Sequence, residues 1–147
     1  KSQIATDCGA DVVVDYRADD LSERIIAANE GQLVDHAVEL EFGVNIDMLA
    51  EVMAPNSRIT AYGSAQVPAP VMPFMPLMFK GITLEMALVY ILTEAQRSQA
   101  IASLSGLLSE NAIKPRVDEA FAFDDAAKAH EAVEANARNG AVLVKVS

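Results

Sequence analysis

The apolar residues of the chain fall into short continuous runs that alternate with longer stretches of helical spacing. Runs that are β-branched or almost entirely apolar predict strands at 11–16, 34–40, 57–63, 82–90 and 141–146. Apolar positions three and four apart predict helices between these runs, at 20–30, 45–54, 93–108 and 126–137. Strands that alternate with helices in this way are typical of an α/β fold with a parallel, doubly wound sheet of the Rossmann type.

Capping residues support the predicted boundaries of the first two helices. Asp19 or Asp20 can cap the first helix, and Gly31 can close it as the residue after the C-cap. Asn45 or Asp47 is predicted to begin the second helix, which the Pro-Asn pair at 55–56 should end. The side chains predicted to point inward from this second helix are Met48, Leu49, Val52 and Met53.

The later helices and the second strand carry their own signals. Thr93 and Gln96 form a predicted capping box at the start of the long helix. That helix should bury an apolar stripe made of Ile101, Leu104, Leu107 and Leu108. Asp124 or Asp125 can cap the last helix. The run at 34–40 is almost continuously apolar, which predicts a strand buried on both faces.

The seven glycines are widely spaced, and no G-x-G-x-x-G motif follows a predicted strand. A complete dinucleotide-binding domain carries this motif after its first strand, where backbone N–H groups bind the pyrophosphate. We therefore expect residues 1–147 to form a partial Rossmann-type sheet that lacks the first strand and the glycine-rich loop. A separate substrate-binding domain is not expected within this sequence.

Composition narrows the classes of function. The net charge of -10 disfavours a nucleic acid or an anionic membrane as partner, because both would be repelled. No apolar run reaches the ~18 residues that a membrane-spanning helix needs. Cys8 is the only cysteine, which excludes an internal disulfide and favours a reducing, cytoplasmic compartment. One cysteine and two scattered histidines give no metal-ligand spacing, so we expect no metal site.

Three residues near the start could recognise a nucleotide. Lys1 precedes the first predicted strand, and Tyr16 and Arg17 lie at that strand's carboxyl end, where open parallel sheets bind ligands. A lysine and an arginine there favour a 2′-phosphate, and a tyrosine ring can pack beside adenine. The alternative is a solvated lysine at the chain end and an ordinary tyrosine at a strand end. The residues themselves leave both interpretations open.

Other side chains also allow a chemical and a structural interpretation. Glu39 and Glu41 could form a carboxylate pair for acid–base chemistry, or they could simply face water at the end of a strand. Met72, Met75 and Met78 recur every three residues and could line an apolar pocket or fill an ordinary core. We therefore assign no catalytic residue.

The order of short motifs along the chain resembles a known family. The matching segments are CGADVVVDYR (8–17), VDHAVELEFGVN (34–45), RITAYGS (58–64), FKGITL (79–84), IKP (113–115), FDDAAKAHEAV (123–133) and NGAVLVKV (139–146). They resemble the C-terminal part of medium-chain dehydrogenases/reductases, on the zinc-free NADPH:quinone oxidoreductase branch that includes zeta-crystallin. Asp15 departs from the family pattern, which usually has an asparagine before the Tyr-Arg pair.

The resemblance implies that the cofactor is NADP(H). The residues that it implies in cofactor binding are Lys1, Tyr16, Arg17, Asn45, Gly63, Ser64, Leu88, Val89 and Tyr90. Within this set, the lysine would meet the 2′-phosphate, and residues 88–90 would bring a strand end to the nicotinamide. The family also implies a homodimer that pairs through the strand at 82–90.

The expected activity is hydride transfer from NADPH to a quinone or similar enone in the full-length enzyme, with the 147-residue chain inactive alone. Two other classes of function stay open. One is a zinc-dependent alcohol dehydrogenase or an enoyl reductase, which residues outside this sequence would distinguish. The other is a non-catalytic dimerisation or binding module, which a cofactor titration would reveal.

Overall fold

The computed structural model describes residues 2–135 and 137–146, and these form two units. The helices are α1 (Ser2–Asp7), α2 (Leu21–Ala28), α3 (Phe42–Val52), α4 (Phe74–Phe79), α5 (Glu94–Ser109) and α6 (Ala126–Glu134). The strands are β1 (Val34–Glu39), β2 (Met53–Ala61), β3 (Thr83–Met86), β4 (Val117–Ala122) and β5 (Ala141–Lys145). One unit spans 10–92, and the other joins 1–9 to 93–147.

A parallel sheet in the order β1-β2-β3 organises the first unit. Ala37, Ile59 and Leu84 lie side by side across the three strands, and they pack in the same apolar cluster as α3. The buried members of that cluster are Phe42, Ile46, Leu49, Ala50, Met53, Ile59, Ala61 and Leu77. The α/β fold with parallel strands, predicted from the alternation of runs and helices, is confirmed.

The α3–β2 region differs from its predicted boundaries. The helix begins at Phe42, because the Phe42 N–H donates to the carbonyl of Gly63 and orders the chain before Asn45. Leu49 and Val52 are buried as predicted, but the turn after the helix is so tight that Met53 already belongs to β2. The Pro-Asn pair at 55–56 therefore lies inside the strand, where the register with β1 shifts.

Three predicted strands also change. Residues 11–16 form no strand, because within the described chain they pair with no neighbour, and pairing rather than local pattern defines a strand. The run at 34–40 does form β1, but Val38 is 74% exposed, so only one face is covered. The run at 82–90 contributes only Thr83–Met86 to the sheet, and Val89–Ile91 turns into a short 3-10 helix.

The ends of α2 use other residues than the sequence suggests. Asp20 occupies the N-cap position, but its carboxylate pairs with Arg24 rather than with a helix N–H. At the other end Glu30 already takes the left-handed conformation, with φ 54°, and Gly31 follows with φ 80°. The Gly31 N–H then donates to the carbonyl of Ile26, which satisfies one of the last carbonyls of the helix.

The second unit contains the parallel pair β4-β5, against which α6 packs. The Thr93–Gln96 capping box at the start of α5 is confirmed. Asp125 occupies the N-cap of α6, but its carboxylate pairs with Lys128 instead of capping a helix N–H. The predicted buried stripe of α5 is wrong, because all four of its side chains are exposed: Ile101, Leu104, Leu107 and Leu108.

Candidate functional site

The candidate site lies at the carboxyl ends of β1 and β2, the edge of a parallel sheet where ligands bind. The loop after β1 leads directly into α3, and the loop after β2 runs past the first turn of that helix. The Tyr62 N–H donates to the carbonyl of Glu39, at 2.9 Å, which holds the two strand ends together. The two loops therefore begin at strand ends that are held together by a hydrogen bond.

Ser64 connects the loop after β2 to the start of α3. Its hydroxyl accepts a hydrogen bond from the Gly43 N–H at 2.8 Å and donates one to the carbonyl of Val67 at 2.6 Å. The backbones approach so closely that a Cβ on Gly43 would lie 2.1 Å from the Val67 carbonyl oxygen. Only glycine fits here, because any side chain would force the loop and the helix apart.

Gly63 makes a second close approach at the same edge. Its carbonyl accepts from the Phe42 N–H at 3.1 Å. A Cβ on Gly63 would lie 2.5 Å from the carbonyl oxygen of Leu40, so this position also requires glycine. The sequence identified Gly63 and Ser64 but missed Gly43, because its close approach to residue 67 depends on tertiary structure.

The carboxylates of Glu39 and Glu41 bind neighbouring N–H groups. One oxygen of Glu39 accepts from the Glu41 N–H at 2.6 Å and from the Asn45 side-chain amide at 3.0 Å. Glu41 accepts from the Gln66 N–H at 3.1 Å. The two side chains thus brace the loops, which differs from both a simple solvent-facing pair and an acid–base pair. Asn45 presents its amide group to Glu39.

A cavity of about 450 Å³ opens beside these loops. Its lining residues are Phe42, Ala61, Tyr62, Gly63, Ser64, Pro68, Pro70, Met72, Met86 and Ala87. This volume lies within the usual range of ligand pockets, roughly 300–1,000 Å³. A second cavity, of about 470 Å³, is lined in part by Met72 and Met78. Met72 and Met78 are half-exposed and line a cavity, as the pocket alternative proposed, whereas Met75 is half-exposed and lines neither of these two cavities.

Tyr16 and Arg17 form a separate cluster with Asp15. The Arg17 guanidinium donates from Nε to Oδ1 and from Nη2 to Oδ2 of Asp15, each at 2.9 Å, and lies 5.8 Å from the centre of the Tyr16 ring. These hydrogen bonds from Arg17 lower the pKa of Asp15 to about 2 and raise the pKa of Arg17. The Tyr16 side chain is 79% exposed and available to a ligand.

The structure describes three of the four remaining predicted cofactor residues, Leu88, Val89 and Tyr90. Leu88, Val89 and Tyr90 do not end a strand, because β3 stops at Met86; they lie exposed in and beside the 3-10 turn. The last sheet contact in this region is the Ala87 N–H, which donates to the carbonyl of Ala61 at 2.8 Å. Lys1 lies outside the described residues.

The described residues contain neither a candidate metal site nor a helix that could span a membrane. No group of three or more His, Cys, Asp or Glu side chains there could hold a metal ion. No helix in that part of the chain has both the length and the apolar character needed to cross a membrane.

Comparison with known families decides the classification. Residues 8–144 match the family model described as zinc-binding dehydrogenase. The chain belongs to this dehydrogenase family. The match agrees with the resemblance to medium-chain dehydrogenases/reductases at the level of the family, and it does not select the zinc-free branch. A comparison with curated proteins found no match.

Solved structures of dehydrogenases share the fold. A mycobacterial quinone oxidoreductase matches with a TM-score of 0.85 and 24% identity over 98% of this chain and 46% of its own. An NAD-dependent alcohol dehydrogenase matches with a TM-score of 0.81 and 22% identity over 100% of this chain and 41% of its own. A mycobacterial protein in complex with NADPH matches with a TM-score of 0.80 and 24% identity, over 98% and 46%. The chain thus spans less than half the length of these structures.

Proposed function

We propose that this chain forms part of the dinucleotide-binding domain of an NADPH-dependent oxidoreductase that reduces a quinone or a similar enone. Membership of the dehydrogenase family supports a nicotinamide cofactor. The observation that carries the proposal is the edge built by Gly43, Gly63 and Ser64 beside a cavity of about 450 Å³. Solved structures of similar fold include a quinone oxidoreductase and a complex with NADPH.

The cofactor fits the character of this edge. The two glycines let the loop after β2 pack directly against the loop after β1 and the first turn of α3, which fixes the wall of the cavity that a flat ring would enter. When bound, the dihydronicotinamide supplies the hydride, and the protein supplies position and exclusion of water. In this proposal Asn45 and Ser64 hold the loops in shape, while Leu88, Val89 and Tyr90 cover the ring from the side of β3.

The nucleotide end of the cofactor needs a different set of residues. We propose that Tyr16 packs beside the adenosine and that Arg17 and Lys1 meet the 2′-phosphate. In the enzyme that contains this chain, Lys1→Ala should then weaken NADPH binding far more than NADH binding, because a charge-assisted contact to phosphate would be lost. Equal losses for the two cofactors would exclude Lys1 as a reader of the 2′-phosphate.

The binding experiment is an NADPH titration of the 147-residue chain that is monitored by ligand-observed NMR. Ser64→Ala removes the hydroxyl that joins Gly43 to Val67, and should weaken NADPH binding by about fivefold to thirtyfold. The matched control is Ser109→Ala, since the Ser109 hydroxyl bonds only within exposed α5, to the Ser105 carbonyl at 2.8 Å. A Ser64→Ala chain that keeps the native amide spectrum and the native NADPH affinity would contradict the proposed site.

The substrate domain and the glycine-rich loop are proposed to be supplied outside these 147 residues, so this chain alone should not reduce quinones. The chain spans 38–46% of the solved structures that share its fold, which supports this division. Steady-state NADPH oxidation by a chain of verified mass, with a quinone as acceptor, would contradict it.

A second candidate reaction is the oxidation of alcohols with zinc. The family description and the NAD-dependent alcohol dehydrogenase of similar fold favour it. Zinc content and NAD-dependent alcohol oxidation by the full-length enzyme distinguish this reaction from quinone reduction. A chain that binds neither nucleotide would instead support a non-catalytic binding module.

We also propose a homodimer that pairs through the region 82–90. The strand β3 lies at one edge of the described sheet, and the apolar residues that follow it are exposed. An exposed apolar edge favours pairing, and a second copy can cover it symmetrically.

A further inference from the structure

The arginine assigned to the cofactor phosphate already has a partner. The Arg17 side chain donates from Nε and Nη2 to the carboxylate of Asp15, at 2.9 Å each. The Arg17 backbone N–H donates a third hydrogen bond to the same carboxylate, at 3.1 Å. A planar guanidinium binds a carboxylate and a phosphate with the same pair of N–H groups. A phosphate that approaches this edge of Arg17 must therefore displace Asp15, or it must bind the guanidinium through the remaining N–H groups on Nη1 and Nη2.

The two arginines near this site are both paired with carboxylates. Asp15 and Arg17 cancel each other, and the nearby arginine, Arg24, is paired with Asp20 at 2.5 Å. Asp15 lies at 53% side-chain exposure and Arg17 at 74%, so water can compete with either partner. Exchange of Asp15 for a phosphate is therefore feasible, but the carboxylate stays close by and repels the phosphate charge.

We propose that Asp15 sets the phosphate preference of this site: it holds Arg17 in a two-bond pair and so reduces discrimination in favour of NADPH over NADH. This inference rests on the proposed function, because it concerns the same nucleotide site. Asp15 is here a positioning residue that acts through Arg17. Its removal should improve binding of a 2′-phosphorylated nucleotide and leave an unphosphorylated one unchanged.

The test compares two probes on the 147-residue chain, adenosine 2′,5′-bisphosphate and 5′-AMP, by NMR titration at fixed ionic strength. Asp15→Asn keeps the shape of the side chain and removes its charge. The ratio of the two affinities should rise in favour of the bisphosphate by about threefold to tenfold, the range expected for an exposed ion pair and one neighbouring charge.

Two further variants separate the mechanism from a general charge effect. Asp20→Asn makes the same charge change in the neighbouring exposed pair, Asp20–Arg24, and should change the affinity ratio by less than about twofold. Adding Arg17→Gln to Asp15→Asn should abolish the gain in the affinity ratio, because the guanidinium that Asp15 otherwise occupies is then absent. A gain that persists without Arg17, or that Asp20→Asn reproduces, would overturn the inference.

The outcomes also distinguish this inference from the proposed function. If the wild-type chain binds both nucleotides and Asp15→Asn leaves their affinity ratio unchanged, the proposed role of Asp15 is wrong, but the proposed nucleotide site is supported. If neither the wild-type chain nor the Asp15→Asn chain binds either nucleotide, both proposals fall.

Discussion

Lys80 offers the sharpest test of what stabilises the first unit. Its ammonium donates to three backbone carbonyls at the end of α3, those of Ala50 at 2.8 Å, Glu51 at 2.7 Å and Met53 at 2.9 Å. The last carbonyls of a helix have no partner within the helix and carry partial negative charge. One lysine from the end of α4 therefore satisfies the tight turn between α3 and β2.

We expect Lys80→Met to destabilise the unit by about 2–4 kcal/mol. Hydrogen bonds that involve a charged group contribute about 1.5–3 kcal/mol each, but these three share one ammonium that is only half-buried, so water replaces part of the loss. Methionine keeps the apolar stem and removes only the donor. An effect of this size raises the unfolding equilibrium constant about 30- to 700-fold.

Urea denaturation, monitored through the amide NMR signals of α3, measures this change in the free energy of unfolding. With a slope of about 2 kcal/mol per molar, the midpoint should fall by about 1–2 M. The matched control is Lys128→Met, because Lys128 is exposed and, among the described residues, its ammonium pairs with the surface carboxylate of Asp125 alone, at 2.8 Å. It should leave the midpoint unchanged. If Lys80→Met and the control unfold at the same urea concentration, the three bonds do not support the turn.

Further predictions concern the packing of the site, a buried hydroxyl and the sheet edge. Gly43→Ala should cost about 1–3 kcal/mol in urea denaturation and weaken NADPH binding, because its Cβ would overlap the Val67 carbonyl; an unchanged midpoint would contradict this. Ser57 is 5% exposed, and its hydroxyl has no partner among the described residues, so Ser57→Ala should leave stability unchanged or raise it by up to about 1 kcal/mol; a clear loss would reveal a hidden partner. Light scattering should show a dimer that Met86→Lys weakens, because Met86 is exposed on the edge strand β3, and a stable wild-type monomer at micromolar concentration would exclude pairing through the region 82–90.

Local patterns in the sequence predict those features that depend on neighbours along the chain. The Thr93–Gln96 box caps α5 as expected, because its two hydrogen bonds join residues three positions apart. β1 and β5 form where apolar runs predict them. Gly63 and Ser64, which the family motif implies in cofactor binding, lie on the cavity wall, and their contact with the cofactor stays a prediction.

Features that depend on distant partners were not predictable in this way. The run at 11–16 has the composition of a strand, but strand formation needs a paired neighbour. The stripe of α5 has helical spacing, but spacing alone does not say whether anything covers it. Lys80 lies in the family segment at 79–84, but its structural role could not be predicted, because its three acceptors lie about thirty positions earlier in the chain.

The proposed nucleotide site has two parts. The cavity is expected to recognise the shape of the cofactor, and the residues around Arg17 are expected to recognise its charge. The described residues that line the cavity at the ends of β2 and β3 are uncharged, and the nearby carboxylate of Glu39 is occupied by N–H donors. We therefore expect discrimination between NADPH and NADH to arise at the other end of the cofactor, from Lys1, Arg17 and Asp15. Ser64→Ala should accordingly weaken both cofactors by the same factor, whereas Asp15→Asn should change only their ratio. Because the hydrogen bonds of Ser64 and Asp15 share no partner in the described chain, the two effects should add in the double variant.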